Sequence, residues 1–365
     1  MKYTRRRFIS TLGAGSALLM LPSFPAFTKP NNVNRSSNKK LGIALVGLGN
    51  YATHLLAPAL QQTENCYLSG IVTGTPAKAV RWKSDYNIPE KNIYNYENFD
   101  NIADNDDIDI VYVVLPNSMH HEFVIRSAKA GKHVICEKPM ALSSKECEEM
   151  IDACKKANVR LFVGYRLHFD PYHKAAMNFR NTNAGEIKVV ESAFGFKIGD
   201  PTQWRLKKAL AGGGAMMDLG IYAIQAARYS IGKEPIAVTA QEFKTDPVKF
   251  KEVDETILWQ MEFPGGPVSS SITSYASGFN RLYISAEYGW FELNPAYSYN
   301  GLKGRTNKGE LDLPHVYQQA LQMDSMTKCI INGTHSDAQG EEGLKDLKVI
   351  EAIYKAVKTG KRTDV

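Results

Sequence analysis

Between residues 41 and 163 short, mostly apolar runs alternate with stretches of helical spacing, and that rhythm admits few folds. The runs LGIALV, CYLSGIV, IVYVVLP, HVIC and RLFVG are separated by ATHLLAPALQQ, AKAVRWKSDYNI, HEFVIRSAKAGK and SSKECEEMIDACKKANV. A strand that is apolar at every position has both faces covered. A parallel sheet flanked by helices provides that, and a half-solvated antiparallel sheet does not. Serine at the N-cap of the fourth helical stretch, with an acid in its first turn, marks where that helix starts. The pattern predicts a doubly wound α/β sheet over residues 41–163.

From residue 164 the texture changes. EIKVVESAFGFK, IAVTAQEF, ETILWQMEF, VSSSITSYA, RLYISAE and GWFELN read as longer strands, with FPGGP and EYGW supplying turns. An α+β domain with an open, mostly antiparallel sheet is expected over 164–365, closed by helical patterns at 314–332 and 339–359. In VSSSITSYAS one strand face is small and hydroxylated, which suits a flat cover. A second subunit would provide one and make the chain a homo-oligomer through this sheet; solvent would serve equally well.

The front of the chain reads differently. Residues 1–28 have a charged start, a Gly/Ala/Leu-rich middle, and small residues and prolines before a polar stretch, as an export signal does. Thr4-Arg5-Arg6-Arg7-Phe8-Ile9 resembles the twin-arginine consensus, whose route carries folded proteins, so a periplasmic location is expected. Cleavage is placed near Ala26, and residues 29–40 form a polar arm. Of the six net positive charges, four belong to Lys2, Arg5, Arg6 and Arg7 in a segment without an acid. The body is therefore nearly balanced, with no basic stripe for nucleic acid and no membrane span once the signal is removed. The five cysteines lack framework spacing, and Cys147 and Cys154 read as buried thiols rather than ligands.

GLGNYA, residues 47–52, fills the turn between the first strand and the first helix, with another strand within about 30 residues. Gly47 permits the tight turn and Gly49 lets backbone N–H groups reach a pyrophosphate. The helix N-terminus favours its charge. Ala52 replaces the third glycine, where helix and strand pack. A Rossmann dinucleotide-binding domain is expected. The second strand ends in Val72-Thr73-Gly74-Thr75-Pro76-Ala77-Lys78, with no acid to accept from a ribose 2′-hydroxyl. Thr73, Thr75 and Lys78, with Arg81 one turn later, suit a 2′-phosphate, so NADP is expected in preference to NAD.

CEKP, residues 136–139, closes the fourth long strand at the edge where open α/β sheets hold ligands. In GGGAMMDLGIY, Asp218 and Tyr222 are four residues apart and share one helix face. A lysine near that tyrosine would help it accept an alcohol proton, since a free phenol titrates near ~10. The histidines at 120, 121, 168 and 173 lack metal-ligand spacing, and no metal is expected.

Together GLGNYA, LPNSMHHEF, AGKHVICEKPM, GYRLHFDP, WRLKKALAGGG, MDLGIY and ARYSIGKEP resemble the glucose–fructose oxidoreductase branch of the glucose–fructose oxidoreductase / inositol dehydrogenase family. The resemblance runs from about residue 40 to the carboxyl end. It implies an exported enzyme that holds NADP firmly, oxidises one sugar at C1 to a lactone and passes the hydride to a second carbonyl sugar. It makes Tyr222 the general acid/base, Lys138 its electrostatic partner and Asp218 an orienting acceptor. Cofactor contacts fall on Gly47, Leu48, Gly49, Asn50, Tyr51, Ala52, Thr73, Lys78, Leu115, Pro116, Asn117, His120, Glu137 and Lys138. Tyr96, Arg166, Trp204, Arg205 and Tyr299 stand around cofactor and sugar. The stretch 294–310 and the region before Trp204 depart from the branch, which leaves the sugars open. An ordinary sugar or polyol dehydrogenase with exchanging cofactor, a nicotinamide-dependent glycosidase and a sugar-binding protein without turnover are the competing readings.

Overall fold

The computed structural model describes residues 40–365. The expected signal at 1–28 and all but the last residue of the arm lie outside the described residues. Strands β1 (Leu41–Val46), β2 (Cys66–Val72), β3 (Ile93–Tyr94), β4 (Ile110–Val113), β5 (His133–Cys136) and β6 (Leu161–Val163) form one sheet in the order β3-β2-β1-β4-β5-β6. Every pairing in it is parallel. β1 and β4 are buried along their whole length, which explains their continuous apolar sequence. Strand order reverses between β1 and β4, so a crevice opens beyond their carboxyl ends. The two-residue β3 has no counterpart in the sequence reading, because two residues carry no periodicity.

The remaining strands are β7 (Ile187–Gly195), β8 (Ala237–Phe243), β9 (Thr256–Glu262), β10 (Val268–Ser274), β11 (Phe279–Ala286), β12 (Gly289–Leu293), β13 (Gly304–Thr306), β14 (Gly309–Leu311) and β15 (Thr363–Asp364). They form a second sheet in the order β14-β13-β12-β11-β7-β10-β9-β8-β15. Only β7 and β10 pair in parallel within it; the other pairings are antiparallel. The β13–β14 hairpin lies in the Gly/Lys/Asn-rich stretch where no strand was expected.

The small hydroxylated face of β10 is covered by this chain's own helix, contrary to the expectation of a subunit or solvent. Ser269, Ser271 and Thr273 are buried, and the helix Ile221–Ile231 packs across β7 and β10. Small side chains let the helix come close. The opposite face of the sheet leaves Phe243, Leu258 and Val268 exposed.

Two carboxyl-terminal helices return to the first domain. Gln318–Asn332 is tied to it by Gln322, which donates to the Tyr112 hydroxyl at 2.7 Å, and by Asp324, which accepts the Asn65 N–H at 2.8 Å. Gly340–Thr359 lies against both the helix Ser144–Lys156 and β8. Its Asp346 is fully buried and accepts from Tyr165 at 2.6 Å, from Gln225 at 2.7 Å and from Arg228. That cluster locks the helix Ile221–Ile231 in place.

Candidate active site

The GGG of residues 212–214 shows how the sequence aims this helix. Gly212 has φ +79°, and a Cβ on Gly213 would lie 2.0 Å from the Tyr354 hydroxyl. A Cβ on Gly214 would lie 2.0 Å from the Asp254 carbonyl, so only glycine permits the approach. The Asp254 carboxylate accepts the N–H groups of Gly214 and Met216, each at 2.7 Å, and so caps the element that follows. That element opens with a π-helical turn, Met216–Gly220, and continues as the α-helix. Asp218 and Tyr222 therefore straddle a junction of two helix types instead of sharing ordinary α turns. Both still face the crevice.

A cleft of about 940 Å³ runs from the glycine turn to this helix. Its walls include Gly47, Leu48, Gly49, Asn50, Tyr51, Thr73, Lys78, Tyr96, Leu115, Pro116, Asn117, His120, Glu137, Lys138, Arg166, Trp204, Arg205, Asp218, Tyr222 and Tyr299. The structure thus brings together every expected site residue except two. Ala52 does not line the cleft and is fully buried. Arg81 does not line the cleft; its Nε donates to Asp85 at 3.2 Å across one exposed helical turn.

The nucleotide end fits a phosphate-bearing dinucleotide. Gly47 has φ +96°, and a Cβ there would meet the Val114 carbonyl at 2.5 Å, whereas Gly49 has open space around it. Backbone N–H groups can therefore be approached closely. Lys78 reaches over the turn and donates to the Leu48 carbonyl at 2.9 Å. Thr73 and Thr75 border the cleft beside it, and the only carboxylates among the described lining residues are Glu137 and Asp218, at the other end.

Charge is concentrated at that other end. The Lys138 ammonium donates to the Asp218 carboxylate at 2.9 Å and its carbonyl at 2.7 Å, and lies 4.9 Å from the centre of the Tyr222 ring. Asp218 also accepts from Tyr275 at 2.9 Å and from Arg205 at 3.2 Å. Burial alone would lower the lysine's affinity for its proton, but Asp218 and then Tyr222 outweigh burial and raise it. Burial would raise Asp218, and the Lys138 and Arg205 charges outweigh that and hold its carboxyl far below the usual range. Both groups are thus ionised at neutral pH. Glu137, beside them, is pushed up by burial, partly offset by the 2.7 Å hydrogen bond from Tyr112. His120 bridges two loops, its ring nitrogens 2.9 Å from the Pro139 and Leu115 carbonyls, and burial lowers it.

Sequence reasoning missed Tyr275 and Asp254. Tyr275 was visible as the aromatic closing VSSSITSY, but nothing local links it to Asp218, 57 residues away. Asn280, Tyr297 and Ser298 also line the cleft from β11 and the loop after β12. They were missed for the same reason.

Residues 41–165 match the family described as "Oxidoreductase family, NAD-binding Rossmann fold", and residues 172–292 match the GFO/IDH/MocA C-terminal domain. The solved aldose-aldose oxidoreductase of Caulobacter crescentus, in complex with glycerol, is 44% identical, with a TM-score of 0.87 over 90% of this chain and 100% of that one. A D-xylose 1-dehydrogenase [NADP(+)] of Haloarcula marismortui is 28% identical over 89% of this chain and 93% of its own length. A levoglucosan dehydrogenase solved with NADH and levoglucosan shares the fold at TM-score 0.77 and 22% identity, over 90% of this chain and 100% of that one.

Proposed function

This chain belongs to the GFO/IDH/MocA family of oxidoreductases, and we propose that it oxidises an aldose at C1 with bound NADP and returns the hydride to a second carbonyl sugar. It is a sugar oxidoreductase that uses NADP. The observation that carries the reading is the meeting of Lys138, Asp218 and Tyr222 in one cleft with the glycine turn. When bound, the nicotinamide accepts or donates the hydride. The chain does the rest. Tyr222 exchanges the proton of the reacting hydroxyl. Lys138 holds positive charge against the oxygen that becomes a carbonyl, and Asp218 fixes Lys138 and Arg205 in position. Thr73, Thr75 and Lys78 would hold the 2′-phosphate.

The name of the 44% identical relative, aldose-aldose oxidoreductase, supports two sugars as donor and acceptor. The NADP(+)-named xylose dehydrogenase supports the alternative of an ordinary dehydrogenase with exchanging cofactor. One preparation separates them. Purified mature protein that retains cofactor should show the reduced-nicotinamide absorption after an aldose is added, and lose it when a second sugar follows. If cofactor is absent and must be supplied, the exchanging dehydrogenase is correct. Tyr222→Phe should leave cofactor bound and remove turnover; undiminished turnover would mean that another group moves the proton.

Export in folded form by the twin-arginine route rests on residues 1–28, and replacing Arg5 and Arg6 with lysine should keep the protein in the cytoplasm. Pairing of copies rests on the outer face of the second sheet, where Phe243 is 51%, Leu258 42% and Val268 41% exposed. Leu258→Lys should convert the oligomer to monomer in light scattering, and a wild-type monomer would reject the pairing.

A further inference from the structure

Arg166 begins the short helical turn after β6 and is only 2% exposed. Its guanidinium donates to the Tyr297 carbonyl at 2.6 Å, to the Ser298 carbonyl at 3.2 Å and to the side-chain oxygen of Gln318. All three acceptors are neutral. Its Nε hydrogen has no acceptor among the described residues. Asp170 lies in the same hydrogen-bond chain, but the Gln318 amide stands between them, donating to Asp170 at 3.0 Å. Glu137 lies within electrostatic reach, but among the described residues no carboxylate accepts directly from the guanidinium. A buried cation paired directly with no carboxylate is expensive unless something electron-rich faces it. Two rings do: Tyr299, with the guanidinium carbon 4.3 Å from its centre, and Tyr222, at 5.2 Å.

The other cations nearby are already engaged. Lys138 and Arg205 both bind Asp218. Resting on the reading of Tyr222 as the proton-exchanging group, the geometry points to Arg166 as the positioning residue that stabilises negative charge on the Tyr222 oxygen. In the oxidising direction the Tyr222 oxyanion takes the sugar hydroxyl proton and becomes a neutral phenol, while the hydride leaves the same carbon for the cofactor. In the reducing direction the phenol returns the proton. Arg166 keeps its charge throughout and never exchanges a proton itself.

Among the described residues, no other group facing Tyr222 supplies a variable cation. Tyr299 is pushed up to about 12, by burial and then by Tyr222, and burial also raises Tyr297, so both remain neutral phenols. Tyr51, beyond Tyr299, is raised by burial as well. Behind the Tyr222 ring, a small cavity holds His168 and His173. Burial keeps them uncharged, at about 3 and about 4. Of the two carboxyls that border the cleft among the described residues, Asp218 is answered by Lys138, and Glu137, beside Lys138, is raised by burial.

The test is the pH profile of kcat/KM for aldose oxidation, with cofactor binding and melting temperature measured on the same samples. In Arg166→Gln the acidic limb should move to higher pH by about one unit, with activity below the limb reduced about 10-fold and cofactor still bound. Arg166→Lys keeps a charge but not the three-acceptor fork, so it should lose stability while its limb stays where the wild type has it. An unmoved limb in Arg166→Gln overturns the proposal. If that variant does not fold, Arg166→Met takes its place under the same criterion: a limb moved up by about one unit supports the proposal, and an unmoved one overturns it. Tyr222→Phe separates the two levels of argument: turnover there rejects the proton-exchange reading itself, whereas an inactive Tyr222→Phe with an unmoved Arg166→Gln limb rejects only the role of Arg166.

Discussion

Asp218 and Asp346 are near-twins in chemistry and opposites in setting. Each carboxylate accepts from a tyrosine, from an arginine and from one further side chain, and each helps fix the helix that carries Tyr222. Around Asp346 the ring is closed. Tyr165, Gln225 and Arg228 take up its oxygens, Glu234 and Glu342 take the rest of the Arg228 guanidinium at 2.6 and 2.8 Å, and Asp346 has no exposed surface. Around Asp218 the ring is open on one side, where Lys138 and Arg205 border the cleft. The comparison shows that a charged cluster is a site only where space is left for a partner. The same donors without that space make a structural pin.

Substitutions should split the two clusters. Lys138→Met should cost about 10³-fold in kcat/KM, roughly 4 kcal/mol of transition-state stabilisation. Arg205 and Tyr275 still satisfy Asp218, so unfolding free energy should fall by less than about 2 kcal/mol. Asp346→Ala should do the reverse. It strands Tyr165 and Gln225 and removes one of three anions from Arg228, at about 3 kcal/mol in denaturant unfolding. The molecules that remain folded should keep near-normal kcat. Equal losses of activity per folded molecule in both variants would erase the distinction.

The open cluster was partly legible in the sequence and the closed one was not. Lys138 ends a strand and Asp218 and Tyr222 lie close in the chain, so motif and position announced them. Asp346 sits in an amphipathic helix where it looks like any solvated acid, and its partners lie 118 to 181 residues away. β1 and β4 were legible because strands buried on both faces must be apolar throughout, and β2, β5 and β6 because their runs come close to that. The cover of β10 was misread, since Ser269, Ser271 and Thr273 carry the same letters under a helix as under a subunit. Asp254 was invisible for a different reason: its work is to cap backbone N–H groups 38 and 40 residues earlier, which leaves no local pattern.

His168 bears on the closed region. Its ring stacks on Tyr165 at 5.2 Å and meets Tyr229 edge-on at 4.3 Å, and neither ring nitrogen has a partner among the described residues. Burial, aided by His173 and Arg228, lowers it to about 3. An unfolded histidine binds its proton near ~6.5, so the unfolded state takes up more protons below that value. Stability from keeping His168 neutral is complete above ~6.5 and is lost progressively as pH falls toward about 3. His168→Phe keeps the ring packing. It should recover about 2 kcal/mol of the stability lost between roughly pH 6.5 and 5, read from urea midpoints at each pH. A wild-type slope that persists in the variant would show that His168 is not its source.

The smallest effect is the finest test of the rule that space decides. Lys78 and Arg81 lie one turn apart on the helix Pro76–Tyr86, and sequence alone offered both to a 2′-phosphate. Lys78 borders the cleft and reaches the glycine turn, whereas Arg81 is exposed and paired with Asp85. A phosphate held by one ammonium in a half-solvated site gains about 1–2 kcal/mol from it, and an exposed i,i+4 pair contributes only about 0.3–0.5 kcal/mol to the fold. Lys78→Ala should therefore weaken NADP binding about 10-fold and leave NAD binding unchanged, while Arg81→Ala should alter either by less than about 2-fold. Titration of both cofactors against both variants decides it. If Arg81→Ala proves as costly as Lys78→Ala for NADP alone, the phosphate sits further along the helix, and Arg81 must leave Asp85 to meet it.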